Sequence, residues 1–270
     1  MAFKANEVLP GVWHIQDCMG VCMTLLVGSE WALLVDTGYG LENVGAFVRT
    51  ITKLPFLTLL THHHHDHALG AMWLQDTFMF DEDDADWWTY VGRAQRERVL
   101  EQAKAKGVPV EGDFLDAGCC PMPLSIEALL HTRPAKDGHI DLGGLTAEII
   151  HCPGHTPGSA VVWVPERKLL LTGDDWNPCT WLFFPEALPV HDYLRNARKL
   201  LELPFEHVLC SHQPTLFPRA KLESFLNGMT DDVLRAARPV KPGPYPEIDT
   251  RQAELPDGQV LVFDWAKAGL

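Results

Sequence analysis

Residues 61–70 read Thr-His-His-His-His-Asp-His-Ala-Leu-Gly, and the spacing within this stretch decides how the rest of the chain is read. His62, His64, Asp66 and His67 form the pattern H-x-H-x-D-H, after the apolar run LTLLT (57–61) and ahead of Ala68, Leu69 and Met72. The run predicts a buried strand, and the apolar spacing after it predicts a helix beginning near His67. The cluster therefore belongs to a strand–loop–helix unit. Alternate side chains leaving a strand point the same way, so His62 and His64 can converge on one cation. Asp66 and His67, at the helix entry, can turn toward a second. Imidazole nitrogen and carboxylate oxygen hold zinc, iron or manganese while leaving positions open for water and substrate. His63 and His65 are expected on the other side, exposed or hydrogen-bonding. An expression tag would be terminal, whereas this tract is internal.

Three more ligand types follow, each just past a predicted strand. His155 lies in CPGHTPGS (152–159) after TAEIIH (146–151). Asp174 lies in LLLTGDDW (169–176) after KLLLT (168–172), with Asp175 as a competing carboxylate. His212 lies in CSHQP (210–214) after HVLCS (207–211). A lone histidine after a strand is more often structural than a ligand. Ligand types at four strand ends reverse that reading, because open α/β sheets gather ligands beyond the carboxyl ends of their strands.

The remaining pattern gives strands VWHIQ (12–16), MTLLV (23–27) and WALLVD (31–36), the last closed by the turn Thr37-Gly38-Tyr39-Gly40. Further strands are expected near Phe78, at HIDL (139–142) and at AVVWV (160–164). Helices are expected over 42–51, 85–106, 193–203 and 218–238. The acidic run Asp81-Glu82-Asp83-Asp84 favours the start of the second helix, and Gly107 and Pro109 end it. MTLLVGSEWALLVDTG and SAVVWVPERKLLLTGD both read strand, turn, strand, then an aspartate near a glycine. Two such halves facing each other give an α/β four-layer αββα sandwich. One domain is expected over 1–270, with a helical insertion at about 81–110 and a surface connection at the Pro- and Gly-rich stretch 238–247.

With 46% hydrophobic residues, the chain can bury a substantial core. Its formal net charge of −14 argues against a nucleic-acid partner, which needs clustered Lys and Arg. No basic leader and no apolar run of about 18 residues stands in the sequence, so a cytoplasmic protein off the membrane is expected. Cys18, Cys22, Cys119, Cys120, Cys152, Cys179 and Cys210 are an odd set without CxxC pairs, and read as mostly reduced and buried.

These residues resemble the metallo-β-lactamase superfamily, especially its glyoxalase-II-like and lactonase-like branch. The resemblance is carried by Asp36-Thr37-Gly38, THxHxDH at 61–67, PGHTPGS at 153–159, TGD at 172–174 and His212, in the family's order. It implies the metallo-β-lactamase fold, one divalent ion on His62, His64 and His155, and another on Asp66, His67 and His212, with Asp174 bridging. Asp36 would orient a ligand by hydrogen bonding instead of binding metal, although from sequence alone it reads equally as a strand-end turn residue. Zinc is the expected metal, with iron or manganese as alternatives. The implied reaction is attack by a hydroxide bridging the two ions on the ester, thioester or lactone carbonyl of a small-molecule substrate, with Asp66 orienting the nucleophile. The two cations, offset by Asp66, Asp174 and the hydroxide, leave a single positive charge suited to an anionic intermediate.

Departures from the family narrow the substrate. Asp174 stands where the best-known zinc β-lactamases use cysteine, and neither Cys179 nor Cys210 replaces it, so β-lactam hydrolysis is not the first expectation. Asn177 stands where lactonase-like members carry tyrosine. Residues 213–270 fall short of the glutathione-binding helical domain of glyoxalase II, and the acidic balance disfavours an RNA-processing nuclease, while a β-lactamase or phosphodiesterase within the same fold stands as an alternative. The main rival is an oxidoreductase similar to the persulfide dioxygenases, with one iron on two histidines and an aspartate; a metal binder without turnover is a third reading. Trp176, Trp181, Phe183 and Phe184 read either as a substrate wall or as core. The helix around Trp87, Trp88, Tyr90 and Val91 reads as a lid or, more readily, as a packing helix.

Overall fold

The computed structural model describes residues 3–115, 120–241 and 245–270; Cys119 and residues 242–244 of the 238–247 connection lie outside them. The first sheet holds β1 (Lys4–Leu9), β2 (Val12–Gln16), β3 (Cys22–Val27), β4 (Ala32–Val35), β5 (Phe56–Leu59), β6 (Phe78–Met79) and β7 (Leu124–Ser125), side by side in chain order. Pairing is antiparallel as far as β4 and parallel from β4 onward. Parallel neighbours need crossovers. Helix α1 (Val44–Ile51) makes the one before β5; α2 (His65–Ala68) follows β5; α3 (Trp87–Val91) and α4 (Arg93–Ala105) lie between β6 and β7; α5 (Ile126–Leu129) follows β7.

The second sheet holds β8 (Ala135–Lys136), β9 (His139–Asp141), β10 (Thr146–His151), β11 (Ala160–Val164) and β12 (Leu169–Leu171). After β12 the chain leaves as β13 (Cys179–Leu182), passes through α6 (Val190–Arg198), and returns as β14 (His207–Leu209) and β15 (Phe217–Pro218), which pair beyond β12. Helices α7 (Arg219–Gly228) and α8 (Asp231–Arg235) lead to β16 (Arg238–Pro239), β17 (Thr250–Glu254) and β18 (Val260–Asp264). With β13 these form a small third sheet in the order β13-β18-β17-β16.

Side-chain alternation shows why the two large sheets stack. In β4, Leu33 and Val35 join a core shared with Val162 and Val164 of β11 and Leu169 and Leu171 of β12, while Ala32 and Leu34 pack with Val44 and Val48 of α1. In β11 and β12, Val161, Trp163 and Leu170 face the opposite way, onto Leu194 and Ala197 of α6 and Leu222 and Phe225 of α7. Each sheet is thus apolar on both faces, and the order helix, sheet, sheet, helix buries all four surfaces. The two-half echo is also real in topology: hairpin β3–β4 pairs with parallel β5, and hairpin β11–β12 pairs with parallel β14.

Three expected helices differ in detail. The 85–106 helix is broken at Gly92, whose extended backbone (ψ 169°) separates α3 from α4, and residues 81–86 ahead of it form a 3-10 helix. The 218–238 helix breaks between α7 and α8, where Thr230 is extended. The third runs over Val190–Arg198 and tightens to a 3-10 turn over Lys199–Glu202. Helix α1 starts at Val44 because the Asn43 side chain accepts the Ala46 amide. The C-terminal strands β17 and β18 were not expected. Among the described residues no helix is long and apolar enough to cross a membrane, and Cys18, Cys22, Cys152, Cys179 and Cys210 are free thiols, with Cys179 exposed.

Candidate metal centre

Four loops leave strand ends and meet in one cleft. The loop after β5 and the start of α2 bring His62, His64, Asp66 and His67; the loop after β10 brings His155, the turn after β12 brings Asp174, and the turn after β14 brings His212. Ligand atoms of His62, His64 and His155 lie within 4.8 Å of one another, as do those of His62, His67 and Asp174 and those of Asp66, His67 and His212. Asp174 Oδ2 is 2.9 Å from His212 Nε2, 3.5 Å from His67 Nε2 and 3.7 Å from His155 Nε2, so one oxygen touches both groups. Asp66 Oδ2 is 3.6 Å from His212 Nε2 and 3.7 Å from His67 Nε2.

What each ring's other nitrogen touches fixes which nitrogen faces the cleft. His64 Nε2 lies 2.8 Å from Glu186 Oε1, and His155 Nδ1 lies 2.7 Å from the Trp181 carbonyl. Both partners only accept, so both rings donate there. Burial lowers the pKa of both, to about 3 for His64, so each is neutral. Their remaining nitrogens, His64 Nδ1 and His155 Nε2, therefore point bare lone pairs at each other across 2.9 Å. Facing lone pairs repel unless a cation lies between them. His62 Nδ1 is 3.0 Å from Thr61 Oγ1, which leaves Nε2 turned inward, buried and without a hydrogen-bond partner. Asp174 Oδ1 is likewise orphaned. Orphaned buried polar atoms of this kind call for a missing partner, and imidazole and carboxylate are the donors that divalent zinc, iron or manganese accept. The donor set fits.

The second group is charged differently. Against the pull of burial, the Asp174 and Asp66 carboxylates push His212 up to about 9 and His67 well above its ordinary value. Against burial again, the neighbouring His67, His65 and His212 hold Asp66 down to about 2. In the metal-free chain, protons on the rings neutralise these carboxylates, a job that a bound cation would take over.

Asp36 stands at the end of β4 in the left-handed region (φ 66°), a conformation that costs a non-glycine residue about 1–2 kcal/mol. Its carboxylate holds it there: Oδ1 accepts the Thr61 amide at 2.7 Å, and Oδ2 accepts His67 Nδ1 at 2.9 Å and the Ser211 hydroxyl at 3.3 Å. The turn residue thus ties together two ligand-bearing segments, the loop after β5 with α2 and the turn after β14. Asp175 points elsewhere, its Oδ1 accepting the His155 amide at 3.1 Å.

Sequence reasoning missed two acids. Asp83, expected in a solvated acidic run, is buried; it accepts the amides of Gly158 and His63 and the Thr156 hydroxyl, and lies 2.9 Å from His63 Nδ1. Glu186 lies in an otherwise apolar stretch, FFPEALPV (183–190), and that isolation was its only signal. His63, expected exposed or hydrogen-bonding, is buried between these two acids, and His65 is half-buried. Trp87, Tyr90 and Val91 are buried while Trp88 is 57% exposed, the pattern of a packing helix. The aromatic quartet divides: Trp176 is core, with Nε1 donating to Gln259, whereas the Phe184 ring lies 4.5 Å from His64 and 5.1 Å from His155, beside Trp181, which is 47% exposed. Asn177 caps a turn, accepting the Cys179 amide.

The family model of the metallo-beta-lactamase superfamily matches residues 18–212, a span that includes all seven ligand-type side chains of the cleft together with Asp36. The chain belongs to the metallo-beta-lactamase superfamily. It is 25% identical over 195 residues to the human acyl-coenzyme A thioesterase MBLAC2, a match spanning 66% of each chain, just short of two thirds of that relative's length. It is 30% identical over 174 residues to the hydroxyacylglutathione hydrolase GloC of Haemophilus influenzae, covering 62% of this chain and 70% of the relative. Among solved structures, a metallo-beta-lactamase family protein of Thermus thermophilus superposes with a TM-score of 0.57 at 22% identity, covering 85% of this chain and 82% of that one. The αββα architecture is that of the superfamily.

Proposed function

We propose that the chain is a metal-dependent hydrolase that cleaves small-molecule thioesters with two divalent ions, zinc first among them. The observation that carries this reading is the approach of His64 Nδ1 and His155 Nε2 to 2.9 Å, each ring's other nitrogen being held by an acceptor, beside the orphaned His62 Nε2. His62, His64 and His155 would hold one ion and Asp66, His67 and His212 the other, with Asp174 between them. Bound there, the ions would lower the pKa of water toward about 7 and polarise the carbonyl under attack. Asp66, held ionised at neutral pH by the neighbouring His67, His65 and His212, would orient the attacking water by accepting a hydrogen bond from it. Asp36 keeps His67 turned inward. The Phe184 and Trp181 rings offer an apolar wall on the His155 side for the acyl group. Thioesters are favoured over O-esters and lactones because both named relatives above carry thioester-hydrolysing names.

The test is hydrolysis across acyl-coenzyme A and acylglutathione thioesters, O-esters and lactones, with metal content measured alongside. Thioester turnover is expected to fall about 100- to 10,000-fold in Asp66→Ala, and to vanish in His155→Ala and on chelation. Turnover that survives removal of all metal refutes the mechanism. One iron per chain with oxygen consumed would move the protein to the dioxygenase reading.

A further inference from the structure

We infer that Glu186, backed by Tyr90 and Tyr245, is a positioning residue that aims His64 at the first of the two metal positions, and that this relay of hydrogen bonds tunes the affinity of that position alone. The inference rests on the metal-binding reading above and adds to it the residues that set one position apart from the other.

The geometry is a directed hydrogen-bond relay. Glu186 Oε1 receives His64 Nε2 at 2.8 Å and the Tyr90 hydroxyl at 2.5 Å. The carboxylate can only accept, so Tyr90 spends its one proton on it. The Tyr90 oxygen is then an acceptor, and the Tyr245 hydroxyl, 3.3 Å away, donates to it. His64, Tyr90 and Tyr245 therefore all donate toward Glu186, and His63 Nε2, 3.7 Å from the same oxygen, stands farther off than His64 Nε2. The Tyr90 ring also lies against the His64 ring, 4.3 Å between centroids, with Phe184 at 4.5 Å on that imidazole too. His64 can neither rotate nor change which nitrogen carries its proton without breaking the bond to Glu186. Losing that bond would free Nε2 to compete with Nδ1 for the cleft. The second group of ligands is served from elsewhere, its His67 being oriented by Asp36.

Carboxylates that orient a ligand ring in this way change metal affinity by about 10- to 100-fold when removed. The experiment is stepwise zinc titration of the metal-stripped chain against a competing chelator, for wild type, Glu186→Ala, Glu186→Gln and Tyr90→Phe, with thermal unfolding of each metal-free protein. Wild type is expected to bind two ions. Glu186→Ala is expected to weaken one step about 10- to 100-fold and leave the other unchanged. Glu186→Gln keeps an acceptor oxygen without the charge and should show an intermediate loss, which also serves if the alanine variant does not fold; Tyr90→Phe should lose less than Glu186→Ala. Two unchanged steps in the Glu186 variants overturn the inference. So does equal weakening of both steps together with a lowered melting temperature, which marks a merely structural role. So does a third tightly held ion in wild type, since Glu186 and His64 Nε2 would then serve a cation. A wild-type chain that binds no zinc overturns the metal-binding reading itself, and this inference with it.

Discussion

His14, bound to the residue that follows His212, repeats the logic that governs the cleft. Its Nε2 lies 3.0 Å from the Gln213 carbonyl and its Nδ1 3.2 Å from the Thr24 hydroxyl, so the neutral ring donates to one and accepts from the other while tying β2 to the turn that bears His212. Burial lowers its pKa from 6.5, with the Gln213 carbonyl pulling weakly the other way. A lowered folded pKa means that the unfolded chain takes up the proton first. The stability His14 contributes is thus fully present above pH 6.5 and lost as pH falls from there toward the folded value. The gap in urea midpoint between wild type and His14→Gln should therefore narrow between about pH 7.5 and 5; a gap constant over that range would contradict this account. At this scale the seven ligand-type residues were legible because histidines and aspartates, side-chain types that divalent metals bind, stand together just past the strands. Glu186 and Asp83 were not, since a carboxylate that accepts from a buried ring looks, in sequence, like any surface acid. Nor did sequence separate the two roles open to Asp36. Only its backbone conformation and its bonds to Thr61, His67 and Ser211 show that it is both a turn residue and the anchor of a ring.

The element that bears the central motif is short, and packing holds it where helix propensity would not. Helix α2 has four residues and tightens at once into a 3-10 turn over Leu69–Trp73. It is clamped to the turn after β4: the Thr37 amide donates to the His67 carbonyl at 2.8 Å, the Thr37 hydroxyl donates to the same oxygen at 2.6 Å, and the Gly70 amide donates to the Gly38 carbonyl at 3.2 Å. A Cβ on Gly70 would stand 2.0 Å from the Thr37 carbonyl oxygen, with no flexible group able to yield. Gly70→Ala should cost about 1–3 kcal/mol in denaturant titration and weaken zinc binding, because separating the two turns also separates His67 from Asp36; wild-type stability in this variant would contradict the clamp. Strands such as AVVWV were readable because both faces are buried and the apolar run is continuous. The break at Gly92 was not, because the sequence on both sides keeps a helical character and the extended glycine is set by packing. Strand β17, TRQAE, carries almost no apolar signal; it is a strand because β18 pairs beside it over five residues.

Taken whole, the molecule places its cleft at the seam between two similar halves. The first supplies Asp36 and the 62–67 cluster; the second supplies His155, Asp174 and His212. Each half offers ligand-type residues from the carboxyl ends of its strands, and only the stacking of the two sheets through the Leu33, Val35, Val162 and Leu171 layer brings the groups within reach of one another. The order of motifs along the chain announced this arrangement, while the third sheet, built from β13 and the last strands, had no counterpart in the halves and stayed hidden. The central claim is that seven side chains drawn from both halves hold two divalent ions that the hydrolysis requires. Titrating zinc into the metal-stripped chain while following thioester cleavage tests it most directly: the account predicts two ions bound per chain, with turnover absent at the start and complete when both positions are filled. Full turnover with no ion bound, or saturation at a single ion, would contradict it.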